Sequence, residues 1–149
     1  MGLARIYKDG TRSYLISDPN WGEILLKNDY HLAGTEDALI HGPDNSYHPW
    51  FLSSMFKLNE QTERLFQDCV AHNYGNGITL VEQGKDFVEF FHLCADSGHE
   101  KVDDYLIHHV DKLWQHVLHI REEIAKNKSL TSAYAQKYHD VLTHVALIY

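Results

Sequence analysis

The side chains best equipped for chemistry are twelve histidines and two cysteines among 149 residues. Imidazoles ligate metals and exchange protons near neutrality, so their spacing decides what they can do. Between residues 106 and 124, His109 and His116 share a helical face, but Lys112 stands between them where a third ligand belongs. His108 and His119 likewise flank Lys112 and Gln115, and an ammonium there opposes a divalent cation. No His/Asp/Glu triad at ligand spacing emerges, so no metal is expected. Cys69 and His72 put a thiol and an imidazole three residues apart on a predicted helix, with no evident oxyanion donor or substrate cleft. G-x-S-x-G, phosphate-loop and dinucleotide signatures are absent, since Gly75-Asn76-Gly77 leads into a strand rather than a helix. No catalytic residue, enzyme activity or cofactor is expected. The two thiols, each in an apolar neighbourhood, are too few for a cysteine zinc site or a disulfide scaffold, and read as reduced, buried small hydrophobes.

What remains is a set of aromatic and polar residues from separate segments: Tyr14, Trp21, Tyr30, Trp50, Thr79 and His92. Small-molecule pockets combine apolar and aromatic walls with a few fixed polar groups, and indole N–H, phenol and imidazole are such groups. The same rings fill ordinary cores, so composition leaves pocket and core both open.

The elements that must position these residues are legible from turns and periodicity. Leu3–Tyr7 and Thr11–Ile16 read as a hairpin around Lys8-Asp9-Gly10, because Asp-Gly is a strong hairpin turn. Ser17-Asp18-Pro19-Asn20 supplies a cap and a first-turn proline to a short helix carrying Trp21, Ile24, Leu25 and Tyr30. From Ala33 to Ser54, Gly34, Gly42, Pro43, Asp44-Asn45-Ser46 and Pro49 punctuate a long loop. A helix opens at Asn59-Glu60 with Leu65, Phe66, Cys69 and Val70 as its stripe, and ends at Asn73-Tyr74-Gly75. Two strands follow, Gly77–Glu82 and Phe87–Cys94, around Gln83-Gly84-Lys85-Asp86. Leu106, Val110, Leu113, Val117, Ile120 and Ile124, spaced 4, 3, 4, 3 and 4 apart, predict one long helix, beside which Ile107, Trp114 and Leu118 form a second stripe. That second stripe fits either a partner helix in a dimer or a helix sunk deep in its own domain. Asn127-Lys128-Ser129 breaks the pattern, and a weaker helix resumes over Leu130–Tyr149 through Tyr134, Tyr138, Val141, Leu142 and Val145. The order is α+β, with helices packed on an antiparallel sheet.

The length suits one core, the apolar fraction of 44% is enough to bury it, and disordered or collagen-like classes are excluded. A net charge of −8 repels phosphate backbones and anionic lipid, so direct nucleic-acid binding is disfavoured. The longest apolar runs, such as Val145–Tyr149, fall far short of the ~20 residues that a membrane span needs. Met1–Gly10 has no signal core, so a cytoplasmic protein without membrane partners is expected.

Trp21 after a proline-containing turn, a tyrosine nine positions on, His48-Pro49-Trp50, and above all Ala71-His72-Asn73-Tyr74-Gly75-Asn76-Gly77-Ile78-Thr79 resemble the autoinducer-binding sensory domain of LuxR-type quorum-sensing transcription regulators. The resemblance covers roughly residues 3–126. It implies a PAS- or GAF-like α/β/α sandwich with a central antiparallel sheet flanked by helices, a small-molecule signal held between sheet and helices, and a homodimer. By position, Trp50 matches a tryptophan that donates to a lactone carbonyl, Thr79 a pocket-lining strand residue, His92 a polar pocket residue that is usually serine, and Trp21 the tryptophan beside the acyl chain. Where the family has an aspartate accepting the ligand's amide N–H, this chain has Gly34-Thr35, with Asp37 out of register. That charge-assisted bond is lost, so a standard acyl-homoserine lactone is not expected. The family's DNA-binding helix-turn-helix has no room in Leu130–Tyr149, so contact with DNA is expected only through a missing domain or a partner. The expected organisation is a ligand-sensing domain over residues 1–128 and a C-terminal helical extension over 129–149. The alternative is a ligand-free dimerisation or protein-interaction module acting on a partner regulator.

Overall fold

The computed structural model describes residues 1–30, 44, 46–50, 60–96, 98, 101–137 and 146–147, the last two by backbone. Its elements run β1 (Gly2–Tyr7), β2 (Arg12–Ile16), α1 (Pro19–Lys27), β3 (Ser46–Pro49), α2 (Glu60–Ala71), β4 (Asn76–Gln83), β5 (Phe87–Ala95), α3 (Val102–His108), α4 (Val110–Lys126), α5 (Lys128–Ala135) and β6 (Ala146–Leu147). The fold is mixed α+β, and the strands form one sheet in the order β3-β4-β5-β1-β2-β6. All pairings are antiparallel except β2 with β6, where Leu15 and Ile16 run parallel to Ala146 and Leu147.

The first hairpin forms as its turn chemistry dictates. Gly10 adopts φ +84°, and Asp9 Oδ1 accepts from the Thr11 amide at 2.9 Å and its hydroxyl at 2.6 Å. Alternation then divides the sheet into two faces. On one, Leu3, Leu15, Ile78, Leu80 and Phe91 form a cluster with Val117, Ile124 and Tyr134, so α4 and α5 cover this side. On the other lie Ala4, Ile6, Tyr14, Val81, Val88 and Phe90. Trp21, Ile24 and Leu25 of α1 and Leu65 and Cys69 of α2 pack in one cluster with Tyr30 and Tyr74, which follow the ends of the two helices. Cys69 and Tyr74 lie within electrostatic reach of Cys94, which shares its strand face with His92 and Phe90.

A buried charge anchors the first face. Glu89, 2% exposed, accepts from Arg5 Nε at 2.8 Å, Tyr134 Oη at 2.8 Å and an Arg121 terminal nitrogen at 2.6 Å. Arg121 also pairs with Glu82. The Arg5 guanidinium lies 4.6 Å from the Phe87 ring centre and 4.0 Å from that of Tyr134. Burial works against both guanidinium charges. It combines with repulsion from Arg5 to hold Arg121 below its ordinary pKa, whereas the neighbouring Tyr134 and Glu89 outweigh it and raise that of Arg5. One carboxylate thus ties β1, α4 and α5 to β5.

Several expectations change. Val70, expected in the buried stripe of α2, is 57% exposed, Cys94 is only partly buried, and Tyr30 lies beyond α1, which ends at Lys27. The punctuated stretch read as a loop contains β3, whose Pro49 is tolerable because the strand is short and at the sheet's edge. The long helix is two, meeting at His109 (φ −121°, ψ 25°). There His108 and His109 turn their Nδ1–H groups back onto the Asp104 and Tyr105 carbonyls at 2.6 and 2.8 Å, capping α3 where the backbone ladder stops. Finally, the helix expected over Leu130–Tyr149 ends at Ala135, and a two-residue strand pairs with β2 further on. Tyr134, assigned to the extension, sits in the main cluster. Tyr138, Val141, Leu142 and Val145 lie outside the described residues, as do Gly34, Thr35 and Asp37.

Candidate functional site

On the face opposite α4 and α5, one row of the sheet is polar. His48 pairs with Thr79, Thr79 with His92, and His92 with Gly2, so the row crosses β3, β4, β5 and β1. Above it, the Trp50 indole Nε1–H donates to Thr79 Oγ1 at 3.0 Å, and Thr79 Oγ1 lies 2.9 Å from His92 Nδ1. An indole nitrogen only donates, so Thr79 is the acceptor in the first bond, and the second is carried by the hydroxyl proton or an imidazole proton. Thr79 is 3% exposed, whereas Trp50 and His92 are half-buried. Burial pushes the His48 imidazole below its ordinary pKa, favouring the neutral ring. The His92 ring stacks parallel to Phe90 at 6.4 Å, which joins the polar row to the apolar surface of Phe90, Val81 and Ala4.

Trp50 reaches Thr79 because of Gly77. A Cβ on Gly77 would lie 2.7 Å from Trp50 Cδ2 and Cε3 and from the Leu93 carbonyl oxygen. Only a residue without a side chain lets the indole lie on the β4 backbone, and that places its N–H at the residue two further along the same strand face.

Of the six residues singled out from the sequence, Trp50, Thr79 and His92 are therefore joined directly. Tyr14 lies on the same sheet face, opposite Ala4. Trp21 and Tyr30 belong to the helical layer instead. Trp21 packs against His72 and Tyr74 at 5.5 and 5.9 Å between ring centres, and Tyr30 donates to Asp68 at 2.6 Å. Burial and that bond push the Tyr30 phenol up to about 12. Asp18 holds this layer together: Oδ1 caps α1 through the Asn20 and Trp21 amides, while Oδ2 accepts from Tyr74 Oη and meets His72 Nε2 at 3.2 Å. His48 and Gly77 carry no site signal of their own in the sequence, although both belong to motifs already noted there, His48-Pro49-Trp50 and Gly75-Asn76-Gly77.

The Cys69/His72 pair does not form an activated thiol. Burial, reinforced by Cys94 and Asp68, pushes Cys69 up to about 12, and His72 turns toward Asp18. Among the described residues no group of three His, Cys, Asp or Glu side chains is arranged to hold a metal ion, and no helix is long and apolar enough to cross a membrane. Of the second apolar stripe, Trp114 packs edge-on against Phe91 at 6.2 Å, while Leu118 is 57% exposed. No protein-family model matches the chain, and no curated protein is found to be similar to it.

Proposed function

We propose that this chain is a small-molecule-sensing regulatory domain whose ligand is held on the sheet face of Trp50, Thr79 and His92. The observation that carries the reading is the hydrogen-bonded chain through those three side chains, which come from the end of β3, from β4 and from β5. Fixed polar groups beside an apolar surface are what an enclosed ligand site needs for orientation and for affinity. In this reading the sheet, with α4 and α5 on one side and α1 and α2 toward the other, is a PAS- or GAF-like α/β/α sandwich. It serves as the sensory domain of a LuxR-like cytoplasmic regulator for a signal other than a standard acyl-homoserine lactone. Ligand binding shifts a homodimer equilibrium, with Leu118 the apolar side chain of α4 left for a second copy. Thermal-shift screening against a metabolite panel tests the proposal. At least one compound should raise the melting point of the wild-type chain but not of Trp50→Ala. A panel without effect on either, or equal stabilisation of both, refutes it.

A further inference from the structure

An indole has one polar handle, a donor. In Trp50 that donor is already engaged at 3.0 Å by Thr79 Oγ1, a hydroxyl 3% exposed and braced at 2.9 Å by His92 Nδ1. The ring rests against Gly77, where even a methyl group would collide with it, so its direction is set by packing as well as by the bond.

We propose that Thr79 is the specificity-determining residue of the site, acting as an internal occupant of the position that a ligand's acceptor would take on Trp50. The inference rests on the ligand-sensing reading and sharpens it. A carbonyl-bearing ligand reaches the indole N–H only by displacing the Thr79 hydroxyl, exchanging one neutral hydrogen bond for another with little net gain. A ligand that meets the site through apolar contact needs no such exchange. The site as built therefore favours molecules that do not depend on the indole donor, and it disfavours those that do. Without the Thr79 hydroxyl, the indole N–H is left unsatisfied and a ligand carbonyl gains the full benefit of pairing with it, roughly tenfold in affinity.

The test compares the wild-type chain with Thr79→Val and Thr79→Ser, and uses Thr79→Ala where valine disturbs β4. Two readouts are taken: hydrogen exchange of the Trp50 indole N–H by NMR, and affinity for N-octanoyl-homoserine lactone by tryptophan fluorescence. In the wild type and Thr79→Ser the indole proton should be protected and the lactone bound weakly. In Thr79→Val or Thr79→Ala protection should fall and the lactone should bind at least about tenfold more tightly. Unchanged lactone affinity in the hydroxyl-free variants, or an indole proton as exposed in the wild type as in them, overturns the inference alone. A protected indole in a chain where neither the lactone nor any compound of the metabolite panel binds any variant refutes the ligand-sensing reading, and the inference with it.

Discussion

Replacing Glu89 by glutamine removes a charge without changing shape, and its cost follows from the three donors that converge on it. Arg5, Arg121 and Tyr134 all direct hydrogen bonds to this carboxylate. Removing one partner of a buried ion pair costs about 3–5 kcal/mol, chiefly because the other charge stays buried without compensation. Here Arg121 keeps Glu82, and the Arg5 and Arg121 side chains retain 25% and 30% exposure. The lower end therefore applies, about 3 kcal/mol. In a domain of this size that lowers the melting temperature by roughly 6–12 °C. Calorimetry at neutral pH measures it, and the deficit should persist at high salt because buried pairs are poorly screened. Tyr134→Phe should cost less, about 1.5–3 kcal/mol for one bond to a charged group. It should also combine non-additively with Glu89→Gln, because both changes act on the same carboxylate. A Glu89→Gln deficit no larger than that of an ordinary surface substitution, about 0.5 kcal/mol, would refute the claim that this carboxylate fastens α4 and α5 to the sheet.

Gly77→Ala should force Trp50 off β4, costing about 1–3 kcal/mol and shifting its fluorescence to the red; an unchanged spectrum argues that the indole does not rest there. The Tyr74 hydroxyl, helped by the Trp21 and Asn20 amides and by His72, holds the Asp18 carboxyl below its ordinary 3.8. Its contribution is thus present above that pH and lost as the pH falls through the depressed value. Asp18→Asn should destabilise the chain by about 1–2 kcal/mol at neutrality, and the gap from wild type should close in acid melts; a gap independent of pH contradicts the assignment. In a Cys94→Ser background, Cys69 should react with iodoacetamide at pH 8 more than about a hundredfold more slowly than an unperturbed thiol. A rate near that of the unperturbed thiol contradicts the burial that raises it.

The parts of the fold that were legible are those set by neighbours in the chain. Asp9-Gly10 makes its turn locally, the alternation of β4 and β5 survives in their residues, and Asp18-Pro19 starts α1 where a cap and proline should. β3 was hidden because its four residues carry turn formers and a proline, and only the partner strand β4 makes them a strand. The break at His109 was hidden because the apolar spacing runs through it unbroken, and the imidazole bonds to the Asp104 and Tyr105 carbonyls that accompany it leave no mark on periodicity. Trp50, Thr79 and His92 could be named as a set, but Gly77's part depends on the indole lying over β4, and that geometry is three-dimensional. Trp21 and Tyr30 carried the same aromatic signal and went to the α1–α2 packing, since ring chemistry alone does not separate a site wall from a helix contact.

The most direct measurement uses a chain in which Trp21 and Trp114 are phenylalanine, so that Trp50 is the only indole of the three. Its emission, titrated with the metabolite panel, should shift saturably with at least one compound, and His92→Phe should abolish or weaken that shift. Emission indifferent to every compound, in a chain whose Trp50 proton remains protected from exchange, would contradict a ligand site on this face of the sheet.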